Sequence, residues 1–317
     1  MRRVAILYNP RSGRDRSRRR AHVELAAAVF RAQGIEVELE ATEGPRSADR
    51  QAKQFIDAGF DSIIASGGDG TIHDVLQGMV DTPASLGVLP LGTANSLACD
   101  LGLARDPEAA ARQLLSAESK RIAIGKIEYQ RTGRRETRYF TVAAGIGLDA
   151  ALFYKLNAST KRKWGMGAYV GESIRQWLVQ KYHPFKVEWF DSDSRQKRSE
   201  VVTQLLVVRI ADFGGVLHRL APGAGLMRDD FRLVLFKTAS RLRFLRFATG
   251  RLMQTNWSDP HIELVHASQV CCLPYRAGNQ ERHPIIHAEA DGELLGRIPV
   301  EVSIVPSAFN LLIPAQQ

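Results

Sequence analysis

The stretch with the plainest chemistry is Ser66-Gly67-Gly68-Asp69-Gly70-Thr71. Three glycines surround one carboxylate. Glycine accepts positive φ and lets a ligand come close to the backbone, so such a turn can aim N–H groups at phosphate oxygens. Asp69 is the odd member. A carboxylate repels a phosphate unless a cation lies between them, or unless it orients the loop or takes a proton. We read Ser66–Thr71 as a nucleotide-triphosphate loop with magnesium nearby. The competing reading is a tight turn in which Asp69 caps the helix that follows. Two further turns fall in with it: Asn9-Pro10-Arg11-Ser12-Gly13 upstream, and Pro90-Leu91-Gly92-Thr93-Ala94-Asn95 downstream.

The elements around these turns alternate. Apolar runs at Arg3–Tyr8, Ser62–Ala65 and Ser85–Leu89, with Ile35–Ala41 alternating, read as strands. Helical patterns occupy Arg14–Gly34, Ser47–Gly59, the segment carrying Ile72, Val75, Leu76 and Met79, and Asp106–Ala117 with Pro107 in its first turn. This βαβα rhythm predicts an α/β domain with a doubly wound parallel sheet. Ligands of such sheets lie beyond the carboxyl ends of the strands, where Asn9–Gly13, Thr42, Ser66–Thr71 and Gly92–Asn95 all fall.

After residue 120 the rhythm changes. Strand-like runs follow one another at Arg121–Tyr129, Arg138–Ala144, Phe185–Phe190, Val201–Ile210, Phe231–Lys237 and Ile262–His266. Two helical stretches interrupt them, Met166–Gln180 and Ser240–Met253. We expect an antiparallel, β-rich, sandwich-like second domain over 121–304 after a nucleotide-binding domain over 1–120. The strand-like end, Val300–Ile313, makes 305–317 a candidate to return to the first domain.

The chain of 317 residues is 44% hydrophobic and carries a formal charge of +9. That charge suits nucleic acid, acidic substrates or an anionic membrane face, and does not choose among them. No apolar stretch approaches the ~20 residues of a membrane span. The start, MRRVAILYNP, reads as a first strand rather than a signal peptide. Three cysteines, Cys99, Cys271 and Cys272, show no metal spacing with histidine and fit a reducing cytoplasm.

Six stretches together resemble the diacylglycerol-kinase catalytic family of lipid kinases, which includes bacterial soluble lipid kinases and sphingosine and ceramide kinases. They are NPRSG at Asn9–Gly13, SGGDGTIHDVLQG at Ser66–Gly78, PLGTAN at Pro90–Asn95, AGIGLDA at Ala144–Ala150, GGVLHRLAPGAGLMRDD at Gly214–Asp230 and ADGELLGRIPVEV at Ala290–Val302. GGDGT alone is shared with NAD kinases; its combination with NPxSG, PLGT and a late DGE is far more specific.

The resemblance implies ATP- and Mg2+-dependent transfer of the γ-phosphoryl group to a lipid hydroxyl, diacylglycerol-like or sphingoid. It implies that Asn9, Pro10, Arg11, Ser12, Gly13 and Thr42 hold nucleotide. Ser66, Gly67, Gly68, Asp69, Gly70, Thr71 and Ile72 would bind the phosphates, and Gly92, Thr93 and Asn95 would meet ATP. The late acidic pair Asp291 and Glu293 would close the cleft from the second domain, facing Gly68. Phosphoryl transfer needs a group to take the alcohol proton, and Glu293 is the favoured acceptor, with Asp291 and Asp69 supporting or competing. Read alone, Asp291-Gly292-Glu293 is a hairpin turn. A structural magnesium site is also implied, with the Asp229 side chain and the Leu226 and Phe231 carbonyls as ligands.

Four positions depart from the family pattern: Ser96 and Ala123 replace acidic residues, Val142 replaces an asparagine, and Arg209–Phe213 lacks one. Two other readings stand beside the lipid kinase: an NAD-kinase-like small-molecule kinase, and a catalytically weak nucleotide- or lipid-binding regulator. The partners implied are ATP and a lipid at an anionic membrane surface, met peripherally from the cytoplasm, with no nucleic acid. Gly145-Ile146-Gly147-Leu148-Asp149-Ala150 matches a dinucleotide fingerprint but lies outside the βαβ half. Ser240–Met253 alternates arginine with Leu, Phe and Met, which suits either a core-covering helix or one lying on anionic membrane.

Overall fold

The computed structural model describes residues 1–12, 19–92, 94–147, 182–214, 220–253, 259–275 and 285–315. The chain forms two compact units, Met1–Ile124 with Pro306–Gln317, and Gly125–Val305.

The first unit alternates β1 (Arg3–Tyr8), α1 (Arg19–Arg31), β2 (Glu36–Ala41), α2 (Ala48–Asp57), β3 (Ser62–Gly67), α3 (Asp69–Gln77), β4 (Ser85–Pro90), α4 (Ser96–Asp100) and α5 (Pro107–Leu115). The pairing among β1 to β4 is parallel: β2 on β1, β1 on β3, β3 on β4. The last strand, β14 (Glu293–Ile313), adds Asn310 and Leu311 beside Ser85 and Leu86, also in parallel. β3 and β4 are buried along their whole length, which explains their unbroken apolar spelling. β2, at the edge, keeps an exposed first residue and alternating glutamates. Helix α5 is capped by Asp106, whose carboxylate accepts from Ala109 N at 2.8 Å, with Pro107 at its first position.

The second unit is antiparallel. Its strands are the end of β5 (Glu118–Arg131), β6 (Arg134–Phe140), β7 (Ala143–Ile146), β8 (Phe185–Asp191), β9 (Lys197–Val202), β10 (Gln204–Val208), β11 (Phe231–Phe236), β12 (Ile262–Pro274), β13 (His287–Ala290) and most of β14. Pairing runs β13–β7–β10–β11–β12, and β14 joins β12 to β13, so the ring of strands closes on itself. Inside lies one apolar cluster that includes Tyr129, Phe140, Phe185, Trp189, Phe231 and Val302. The helix α6 (Arg241–Leu252) turns Phe244 and Phe247 inward, where both rings meet Phe236.

The run Arg138–Ala144, expected as a single strand, is broken at Thr141 and Val142, which separate β6 from β7. The reason is chemical: the amides of these two residues leave the ladder to serve a carboxylate described below. The expected helix Met166–Gln180 lies outside the described residues.

Candidate active site

In the first unit the parallel sheet brings four segments to one edge, the carboxyl ends of its strands. Asn9 N donates to Ser66 O at 3.0 Å, just past the Tyr8–Ser66 register pair of β1 and β3. Thr42 N donates to Tyr8 O at 2.9 Å, and Leu91 N to Gly67 O at 3.1 Å. Asn9, Thr42, Ser66–Gly68 and Leu91–Gly92 therefore lie side by side. Asn9 also closes its own turn, its Oδ1 accepting from Arg11 N at 2.8 Å.

Where the two glycine turns cross, Gly92 has no room for a side chain. A Cβ placed on Gly92 would lie 2.4 Å from the Gly68 Cα, and one on Gly67 would lie 2.4 Å from the Thr71 Oγ1. The crossing is held by charge. The Asp69 carboxylate accepts from Asn95 N at 3.0 Å and from Ser96 N at 2.7 Å. It therefore caps α4, the helix after the second turn. Its own helix, α3, has Gly68 at the cap position with no side-chain cap bond. A carboxylate on two amides at a helix start is well placed against the positive end of the peptide dipoles. Asn95, buried and at φ 54, seals the second turn from inside: its Oδ1 accepts from Gly92 N at 2.9 Å, and its Nδ2 donates to Gly92 O at 3.0 Å.

Three supporting residues escaped sequence reasoning. Gln51 on α2, 1% exposed, donates from Nε2 to Ala41 O at 3.1 Å and touches Glu40, fixing the segment that ends in Thr42. Its signal was a polar residue on the buried face of α2 with Ala48, Ala52 and Phe55. Asp74 on α3 accepts from Arg46 N at 3.0 Å, which ties the same segment to α3. Arg19, buried at the start of α1, donates to Ser12 O at 2.5 Å. Gly13 and Thr93 lie outside the described residues.

In the second unit Asp291 and Gly292 form a two-residue hairpin loop between β13 and β14. Both have positive φ, 46 and 82, and Ala290 faces Glu293 across the loop, the arrangement of a type I′ turn. The Asp291 carboxylate points inward and is 5% exposed. Its Oδ1 accepts from Val142 N at 2.9 Å and Ala143 N at 3.0 Å, its Oδ2 from Thr141 N at 2.9 Å. Its own N–H donates to Ala143 O at 2.9 Å. Asp291 is thus a clamp on the break between β6 and β7. Glu293, half-buried, is the first residue of β14.

The residues expected to hold a structural metal are arranged differently. Asp229 is exposed, and Phe231 is buried at the start of β11, registered on Ala267. The Leu226 carbonyl accepts from Arg209 Nη2 at 2.9 Å. Arg209 Nη1 reaches the carbonyls of Asp230 at 3.0 Å and of Arg228. Burial lowers the Arg209 pKa to about 10, so the guanidinium stays charged at neutral pH. Asp230 is paired with Arg228 at 2.7 Å, and His266 lies 3.3 Å from it. A divalent ion at these carbonyls would meet a fixed positive charge, so the donor set does not fit one. Among the described residues no group of three or more His, Cys, Asp or Glu could hold a metal ion.

Residues 3–127 match the diacylglycerol kinase catalytic domain, and residues 141–313 match the YegS C-terminal NAD kinase beta sandwich-like domain. The chain belongs to the diacylglycerol kinase family. It is 30% identical to the diacylglycerol kinase of Bacillus subtilis (strain 168), an alignment covering 100% of this chain and 98% of that one. It is 26% identical to the diacylglycerol kinase of Mycobacterium tuberculosis (strain ATCC 25618 / H37Rv), over 98% and 95% of the two chains. A solved diacylglycerol kinase from Bacillus anthracis str. Sterne shares the fold at TM-score 0.69 and 18% identity, over 98% of this chain and 96% of that one. Yeast NADH kinase complexed with NADH is a more distant likeness of fold, with TM-score 0.56 and 11% identity over 100% and 84%. Membership in the diacylglycerol kinase family makes this chain a kinase. In this family member Ser96, at one of the departing positions, gives its amide to Asp69. Val142, at another, gives its amide to Asp291.

Proposed function

We propose that the chain is an ATP- and magnesium-dependent lipid kinase whose first unit is a doubly wound nucleotide-binding domain. The observation that carries this reading is the crossing of Gly68 and Gly92, locked by Asp69 through Asn95 N and Ser96 N. It supplies a rigid, side-chain-free backbone surface at the carboxyl edge of the sheet, the setting in which N–H groups bind phosphates. In this reading Asn9–Gly13 and Thr42 hold the nucleotide, Ser66–Ile72 hold its phosphates, and Thr93 completes the contact. Magnesium carried by the triphosphate supplies charge neutralisation.

Glu293 is the proton acceptor in this scheme. The lipid hydroxyl forms a bond to the γ-phosphorus as the bond to ADP breaks, and the hydroxyl proton passes to the Glu293 carboxylate. Asp291 is left to its clamp.

A bilayer is the proposed site of work, reached from the cytoplasmic side, and α6 supports it. The helix carries four arginines and no acidic residue. Its buried stripe leaves a second apolar stripe outside: Leu242 is 75% exposed, Leu245 51%, and Met253, just past its end, 66%. Apolar side chains flanked by arginines suit an anionic lipid surface. No helix among the described residues is long and apolar enough to cross a membrane.

The deciding experiment is incubation with γ-labelled ATP and either a lipid extract or NAD. Label in the lipid fraction is expected. Label in NADP instead would favour the small-molecule reading, to which the fold shared with yeast NADH kinase lends weight. ATP binding with no transfer to either would favour the regulator.

A further inference from the structure

We propose that Arg209 is the built-in cation of the Leu226–Asp230 turn, so that this turn is held by a side chain where a divalent ion would otherwise be needed. The turn presents alternate carbonyls, those of Leu226, Arg228 and Asp230, to one guanidinium. Carbonyl oxygens at alternate positions of a loop, converging on one point, are the donor pattern of a hard-cation site. Brought together without a positive charge, their dipoles repel and their lone pairs lack partners. The guanidinium answers both needs, since it offers five N–H donors in a planar fork and keeps its charge when buried.

Arg209 is placed for this by the sheet. It follows the apolar strand β10, and its own N–H donates to Val142 O at 2.9 Å. The residue is 0% exposed, an unusual position for arginine unless its charge is matched. Here the match is the three carbonyls, with Asp229 and Asp230 adding negative charge from the same turn. Because this cation is part of the chain, it cannot be diluted away or chelated, unlike a bound ion.

The test is thermal unfolding of the full chain without nucleotide, in magnesium and in a chelator. Wild type is expected to melt at the same temperature in both, within about 1 °C, since no bound ion is lost. Arg209→Met should lower the melting temperature by roughly 5–10 °C, by stranding buried carbonyls. Arg209→Lys should fall between, because an ammonium keeps the charge and loses the fork. Asp229→Ala should move the magnesium and chelator curves by the same amount, leaving no gap between them. Crystals soaked in manganese should show no anomalous peak at the Leu226 carbonyl. A wild-type melt that drops on chelation and is flattened by Asp229→Ala would overturn the proposal. So would a manganese peak at Leu226, or an Arg209→Met chain as stable as wild type. Should Arg209→Met fail to fold, the wild-type melts and the manganese map decide the question alone.

Discussion

Asp69 and Asp291 do the same physical job in different units: each carboxylate collects backbone N–H donors from a turn far along the chain. For Asp69 the donors are 26 and 27 residues away, for Asp291 148 to 150. Losing either leaves amides without acceptors, but the consequences differ. Asp69→Ala removes a helix cap, a cost of about 1–2 kcal/mol, and frees the second glycine turn. Transfer from ATP should be abolished while circular dichroism and a cooperative melt persist; wild-type turnover in this variant would refute the phosphate-loop assignment. Asp291→Ala strands three amides in a buried place and should cost about 3 kcal/mol or more, read by denaturant unfolding. Asp291→Asn, which tolerates the left-handed backbone and keeps one acceptor oxygen, should cost less. Glu293→Gln, by contrast, should cut turnover roughly 100-fold with ATP affinity intact. If affinity drops and turnover holds, Glu293 is a nucleotide contact and no base.

At the scale of elements, the fold was legible wherever burial dictated spelling. Ile63-Ile64-Ala65 and Leu86-Gly87-Val88 announce β3 and β4 because a strand buried on both faces must be apolar throughout. Asp106-Pro107 announces α5, because a cap and a preset φ leave a local signature. The links between elements were not legible. A carboxylate bonded to amides across the sheet has no spacing rule, so the competing reading of Asp69 made it a cap for its own helix, whereas it caps the next. Arg209 looked like any arginine at a strand end; only its place after the apolar run Gln204–Val208 hinted at burial. Thr141 and Val142 fit a continuous strand by residue type, yet the demand of Asp291 breaks it there. The candidate site residues of the first unit stand out by their glycines, whereas the tethers Gln51 and Asp74 carry no local mark. The glycine crossing yields its own prediction: Gly92→Ala sets a Cβ against the Gly68 backbone. It should weaken ATP binding at least tenfold by calorimetry, whereas Gly70→Ala, whose Cβ would meet nothing within 4 Å, should be tolerated in folding.

At the scale of the whole molecule, the outward face of α6 is the surface proposed to meet lipid. Replacing Leu242 and Leu245 with glutamate exposes no core residue, since both already face outward. Sedimentation with anionic vesicles should fall several-fold and activity on vesicle-borne lipid with it, while activity on a short-chain soluble acceptor stays. Raised salt should weaken vesicle binding of the wild type in the same direction. Equal sedimentation of the double variant would remove α6 from the membrane reading.

The strand that begins with Glu293 ends by pairing Asn310 and Leu311 with β4, and Ala308 O accepts from Asp81 N at 2.8 Å. A ribosome therefore makes β1 to β4 before the residues of the second unit, and their last partner strand after them. Until then the β4 edge waits unpaired, through the synthesis of nearly two hundred intervening residues. Removing 306–317 would strip β4 of a parallel partner, so a lesion placed after the second unit in the chain would fall on the first.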